Sequence, residues 1–445
     1  MLEKKPAVEL NRSLGLWSAL SIVIGTVIGS GIFFKQASVL DYTGSTTNAL
    51  LAWLCGGIIT LTAGLTVAEI GSQIPQTGGL YIYMEKIYGK IWGFLAGWMQ
   101  VIVYGPAMIA ALGAYLAILI VDFFGIPAGY SHLIALVAVV SIGALNMLSN
   151  RYGASFQIIT TICKLFPIAA IIIFGLFFGD ANALGQSVST VSHSTSNFGV
   201  GILATLFAYD GWILIANMGD EIKNPKKTLP RAIVLGISLV LFIYVLVSFS
   251  IMRVVPADQI HQLGENATPQ FAKIAFGEIG GKIMNIGVII SILGCMNGKI
   301  MTFPRIMWAM GKNKQLPFHK QLSYLHPKSH SPIVATCVAL SIAAIMILFF
   351  DADRLSEICI FTVYCFYVMT FIGVFILRRR NKESNLKRVF SVPLYPFTPI
   401  VAILGAAFVL VSEIQSDLVG VLISFTIVAI GIPVYLCESH KNKDL

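Results

Sequence analysis

The chain is a succession of apolar runs, each about as long as a lipid bilayer is thick, and the first of them is broken in its middle. The stretch Ile22-Val23-Ile24-Gly25-Thr26-Val27-Ile28-Gly29-Ser30-Gly31-Ile32-Phe33 puts glycines and hydroxyl side chains where a spanning helix favours Leu, Ile and Val. Gly in a helix interior costs roughly 1 kcal/mol against Ala, so the helix is weak at Gly29-Ser30-Gly31. A break inside a membrane frees backbone N–H and C=O groups that lipid cannot satisfy. Taken alone, the stretch fits two arrangements. One is a small-residue face that lets neighbouring helices approach closely. The other is a discontinuous helix whose free ends hold a substrate near the bilayer midplane.

Composition fixes the class. Hydrophobic residues make up 56% of the chain and charged ones 11%, against about 25% charged in soluble domains. An all-α integral membrane protein is expected. Twelve spans are read near 14–38, 48–74, 91–122, 131–149, 154–178, 198–220, 231–254, 280–311, 332–350, 355–378, 396–414 and 418–437. The first run lacks a small-residue cleavage signature and is expected to stay as a span. The net charge of +9 suggests nucleic acid until the charges are placed. Most Lys and Arg fall in the tails 1–13 and 438–445, at Arg151, and in the loops 75–90, 221–231, 312–331 and 378–395. Those segments all lie on one side of the membrane, which the positive-inside rule makes cytoplasmic, both termini included. Charge therefore reports topology, and no nucleic-acid partner is expected. The seven cysteines show no CxxC or Cys/His spacing, so neither a metal site nor a disulfide framework is indicated.

A second interruption falls in the sixth run, at Phe207-Ala208-Tyr209-Asp210-Gly211-Trp212. Five spans separate it from the first, and an odd offset turns the two in opposite directions. Broken helices at matching places in two five-span halves point to an inverted-repeat transporter, here 14–178 and 179–378, followed by two additional helices in 379–437. That pairing favours the binding-site arrangement for the first run. Lys164 lies in mid-span, where an ammonium costs at least about 2.5 kcal/mol, so it is expected to face the bundle interior and meet carbonyls or an acid. Glu69 is read as a structural partner for a nearby cation. Lys299 and Arg305 in segment eight are read as structural or gating. Tyr104-Gly105-Pro106 predicts a kink in segment three, Asn224-Pro225 and Pro230 a rigid turn across 221–231, and 255–279 an exterior excursion.

Gly29-Ser30-Gly31-Ile32-Phe33, the Phe207 to Trp212 stretch and Lys164 together resemble the amino acid–polyamine–organocation superfamily, specifically its L-amino-acid transporter branch and the bacterial exchangers within it. Matching stretches run from Leu14 to about Tyr435 and include Ile70 to Leu80, Asp220 to Pro225 and Ser391 to Pro396. The resemblance implies exchange of small neutral L-amino acids, serine and threonine first, across a bacterial cell membrane by alternating access, with no cofactor. It implies a five-plus-five inverted repeat with helices one and six broken. The amides of Ser30, Gly31 and Ile32 would receive the α-carboxylate, as a helix N-terminus favours anions. The carbonyls of Val27 and Phe207 would receive the α-ammonium, with Gly29 keeping the break open. The Phe207 ring resembles the family's outer gate. Thr26, Ala208, Tyr209, Asp210 and Cys295 would surround the substrate. Lys164 stands where the family has a lysine in place of sodium, which implies sodium independence and a link from segment one to segment eight.

Two departures matter. Relatives that join a glycoprotein partner use a cysteine after segment three, and Phe124 to Tyr130 has none, so no such subunit is expected. Asp210 replaces a small residue found in many relatives, either to cap the broken helix or to pair with a polar substrate. The rival mechanism is a proton-coupled symporter titrating Lys164 or Asp210. An intramembrane enzyme is not expected, because the seven histidines fall in loops, at span ends or in a tail and form no nucleophile–base or metal constellation.

Overall fold

The computed structural model describes residues 10, 12–179, 185–189, 198–350, 352–383, 388–416 and 418–441, without the side chains at 265, 352–354, 356–360, 381–383 and 416. Most of the expected tails 1–13 and 438–445 lies outside the described residues. Among the described residues the chain is helical, with two isolated β-bridges, Leu14 with Ile222 and Ser45 with Ser187. Helices α1 (Leu16–Val27) and α2 (Gly31–Thr43) are one apolar run bent by 41° at residues 28–30. Helix α3 (Thr46–Gln73) starts at Ser45, whose side chain accepts from the Asn48 amide, and stops before Pro75.

The expected loop 75–90 holds a helix of its own, α4 (Leu80–Tyr88), entered through Gly78 (φ 119°) and Gly79 (φ 50°). Its Leu80-Tyr81-Ile82-Tyr83-Met84 stretch is buried, so Tyr81 and Tyr83 pack inward. Helix α5 (Lys90–Met99), a π-helical turn (Gln100–Tyr104) and α6 (Gly105–Phe124) form one long span. Pro106 has no N–H for the preceding turn, and the wider π turn absorbs the mismatch where a kink was expected.

Helices α7 (Ser131–Leu148) and α8 (Asn150–Phe178) follow. On α8, Lys164 is 0% exposed and Phe166 80%; two positions apart on a helix, they face opposite ways, one into the bundle and one towards lipid. Helix α9 (Phe198–Ala208) ends abruptly, and the chain passes through turns at 209–213 into a 3-10 segment (Leu214–Glu221). Helix α10 (Pro225–Val254) starts six residues before the expected span. Pro225 sits at its first position, where a missing N–H costs nothing, so Asn224-Pro225 begins a helix and the loop expected at 221–231 is only a short link.

The exterior excursion expected at 255–279 is also largely helical. It contains α11 (Ala257–Leu263) and the start of α12 (Ala267–Lys312), which is interrupted at Gly277 (φ 73°). The chain closes with α13 (His319–Leu322), α14 (Ile333–Phe349), α15 (Ala352–Glu383), α16 (Phe397–Ser416) and α17 (Leu418–Lys441). Among the described residues nine helices, or ten with the bent α1–α2 pair, are long and apolar enough to cross a membrane. The shorter apolar helices α9 and α14 stand where the sixth and ninth spans were expected.

Glu69, fully buried on α3, has the cation partner expected of it. Arg378 of α15 reaches both carboxylate oxygens at 2.8 and 2.6 Å, and the Val392 amide donates at 2.7 Å.

Candidate functional site

Helix α1 runs out at Val27 because Ile28 is extended (φ −73°, ψ 94°), and α2 restarts at Gly31. The broken end of α9 is packed against that restart. A Cβ on Gly31 would lie 2.5 Å from Ala208 Cα and 2.6 Å from Ala208 Cβ, so only glycine lets the two breaks touch. Gly211 (φ 111°) completes the contact, since a Cβ there would stand 2.6 Å from the Thr26 carbonyl oxygen. Thr26 in turn donates from its hydroxyl to the carbonyls of Ile22 at 2.7 Å and Gly211 at 3.1 Å.

The two ends of the first break are treated unequally. Its carbonyls are occupied. Lys164 Nζ donates to the carbonyls of Gly25 (3.0 Å), Ile28 and, across on α12, Ser291 (3.1 Å). The Ser291 hydroxyl donates to Ile28 (3.2 Å) and Gly29 (3.3 Å), and the Cys295 thiol to Thr26 (3.0 Å). Tyr244 on α10 donates to both the Val27 and the Ala208 carbonyls at 3.1 Å. The amide hydrogens of Ser30, Gly31 and Ile32 meet no acceptor among the described residues, and no side chain caps α2. Unpaired N–H groups at a helix start, with the helix dipole behind them, attract an anion. Thr26, Ser30, Ala208, Asp210 and Cys295 are each at most 5% exposed, so the junction is closed to water.

The expected site residues therefore converge at this junction, with differences of detail. The Phe207 carbonyl accepts from the Asp210 amide at 3.2 Å, and the half-buried Phe207 ring has the Lys35 ammonium 5.4 Å from its centre. The Tyr209 hydroxyl is engaged by the Trp53 carbonyl at 3.1 Å while its ring packs 4.9 Å from that of Tyr244. The Asp210 carboxylate has partners that neither expectation named: it accepts from the Tyr104 hydroxyl at 2.7 Å and pairs with Lys299 of α12 at 3.2 Å, both charged side chains at most 2% exposed. Burial explains the pairing, because an isolated charge in a low-dielectric interior is far costlier than a matched one.

Sequence reasoning missed Tyr244 and the Lys299–Asp210 pair. It also missed a polar knot at the end where α1 begins. There Arg305 contacts Glu221 at 2.8 Å and Asn150 at 2.9 Å, the Ser331 hydroxyl reaches Asn150 at 2.8 Å, and the Leu14 backbone clips onto Glu221 and Lys223 at 2.9 and 2.8 Å. No group of three or more His, Cys, Asp or Glu side chains among the described residues is arranged to hold a metal.

Residues 14–432 match the family model of amino acid permeases. The chain is 50% identical over 429 residues to the serine/threonine exchanger SteT of Bacillus subtilis (strain 168), covering 96% of each protein. It is 32% identical over 456 residues to the human large neutral amino acids transporter small subunit 2 (98% of this chain, 82% of that one). To the human cystine/glutamate transporter it is 29% identical over 435 residues (96% and 85%).

Proposed function

Because this chain belongs to the amino acid permease family, we propose that it is a multi-pass membrane antiporter that exchanges small neutral L-amino acids, serine and threonine foremost, without sodium. It is a transporter, not an enzyme. The observation that carries the site is the α1–α2 break, with unpaired amides at Ser30 to Ile32 facing a closed junction with Ala208. An α-carboxylate suits those amides, and an α-ammonium suits a second lone pair on the Val27 carbonyl beside Tyr244 and on the Phe207 carbonyl. Such contacts read only the head group. Side-chain choice then falls to Thr26, Tyr209 and Cys295, with Asp210 acting through Lys299 and Tyr104 to hold the second break in shape. Phe207 closes the outer side.

Lys164 supports sodium independence. Its ammonium already takes the carbonyls of the break and bridges them to Ser291, a task a bound cation would otherwise perform. The architecture proposed is twelve spans, two inverted five-helix halves at 14–178 and 179–378 and two added helices in 379–437, with both termini in the cytoplasm of a bacterial cell. Relatives named for serine and threonine exchange and for large neutral amino acids support the substrate class. The turn from Phe124 to Tyr130 offers no cysteine for a disulfide-linked subunit.

The test uses purified protein in liposomes, preloaded with unlabelled serine or empty, without sodium or a pH gradient. Labelled serine should enter the preloaded vesicles alone. Equal entry into both, or entry that follows an imposed pH or sodium gradient, would replace exchange with uniport or symport.

A further inference from the structure

Away from the junction, two cavities flank the segment that links α12 to α13, at the end of the bundle that the charge distribution assigns to the cytoplasm. The first, of about 410 Å³, is lined by Glu85, Lys90, Lys314, Gln315, Tyr435 and Glu438, from the α4–α5 junction, the α12 exit and the end of α17. The second, of about 490 Å³, is lined almost wholly by apolar groups, among them Trp98, Ile102, Leu316, Phe318 and Val338. Both touch α5 and the 313–318 segment. Helix α17 is the least buried of the long apolar helices, so this corner of the bundle faces lipid.

The polar cavity is matched to a zwitterion. The Gln315 side chain donates to Glu85 at 3.0 Å, which fixes its amide orientation and leaves its carbonyl oxygen buried with no donor. With the Glu85 carboxylate and that of Glu438, which also accepts from Lys441 at 3.0 Å, that oxygen calls for a cation carrying several N–H groups. Lys90, whose ammonium has no partner among the described residues, calls for an anion beside it, and Lys314 stands in the same lining. An apolar cavity lies next along α5, and Phe318, 76% exposed, stands at its edge.

We propose that this pair of cavities binds one phospholipid with a primary-ammonium headgroup, phosphatidylethanolamine in chemical terms. The ammonium is held by Glu85, Glu438 and the Gln315 carbonyl, the phosphate by Lys90 and Lys314, and an acyl chain by the Trp98–Phe318 cavity. A choline headgroup has no N–H to donate and a glycerol headgroup has no cation, so both fit worse.

The experiment is native mass spectrometry of the purified full-length protein, titrated with phosphatidylethanolamine, phosphatidylcholine or phosphatidylglycerol bearing identical chains. Ethanolamine lipid should be retained at least about tenfold more tightly than either other lipid, the step that one lost charged contact commonly makes. Lys90→Ala, at an exposed position, and Glu438→Gln, at a largely buried one, should each reduce that preference about fivefold or more. Equal retention of ethanolamine and choline lipids by the unmodified protein would overturn the proposal. So would tighter retention of the glycerol lipid, or unchanged retention in both variants.

Discussion

Lys164 donates from its ammonium to the carbonyl oxygen of Gly25 at 3.0 Å, a contact between helices α8 and α1. The same nitrogen reaches Ser291 on α12, so one side chain ties three helices at the break. Lys164→Ala removes a charge-assisted contact worth about 1.5–3 kcal/mol from the element that must move. Exchange of labelled serine in liposomes should fall by about tenfold or more, with a smaller effect on the detergent-solubilised folded fraction. Undiminished exchange would remove Lys164 from the mechanism.

The contact of Gly31 with Ala208 makes a sharper test, because it depends on an absence. Gly31→Ala forces a methyl group to within 2.6 Å of another, and overpacking of this kind costs about 1–3 kcal/mol. The two breaks must separate, and exchange should drop below a tenth of the unmodified rate. Gly15→Ala, where nothing lies within 4 Å of the new atom, should exchange normally in the same assay. Matching rates for the two variants would show that the close approach is incidental.

Asp210→Asn leaves Lys299 charged and uncompensated in the interior. Breaking a buried pair costs about 3–5 kcal/mol, which should lower the thermal midpoint of the solubilised protein. Combining it with Lys299→Met removes the orphaned charge and should recover part of that loss. Additive losses in the double variant would mean that the two groups are not coupled.

Tyr244→Phe keeps the ring and deletes the hydroxyl that joins the Val27 and Ala208 carbonyls. Each bond contributes about 0.5–1.5 kcal/mol net. If these carbonyls also meet the ammonium of the substrate, the KM for serine should change several-fold while Lys164-dependent behaviour persists. An unaltered KM together with unaltered maximal exchange would place the tyrosine outside the site.

Both breaks were legible in the sequence because glycine and aspartate inside apolar runs are costly and stand out. Lys164 was legible for the same reason, and its partners followed from the need of a buried ammonium for carbonyls. Tyr244 was not, because α10 is apolar around most of its circumference and a tyrosine there looks like any other bulky residue until the helix's rotation is known. The partner of Asp210 was hidden by distance. Lys299 lies 89 positions further along, and a carboxylate next to a helix break invites a local explanation. Loops were read too long at 75–90, 221–231 and 255–279 since Gly and Pro mark where direction changes, and helices resumed immediately after those turns.

The amides of Ser30, Gly31 and Ile32 give the junction an unusual genetic character. The atoms proposed to grip the substrate belong to the main chain, so every possible codon at those positions still encodes them, proline excepted. A substitution there does harm by what it brings in, not by what it takes away. Where side chains hold the junction, as at Lys164 and Tyr244, deletion does the damage; along this stretch addition does, and random mutagenesis should find its sensitive positions there among the smallest residues.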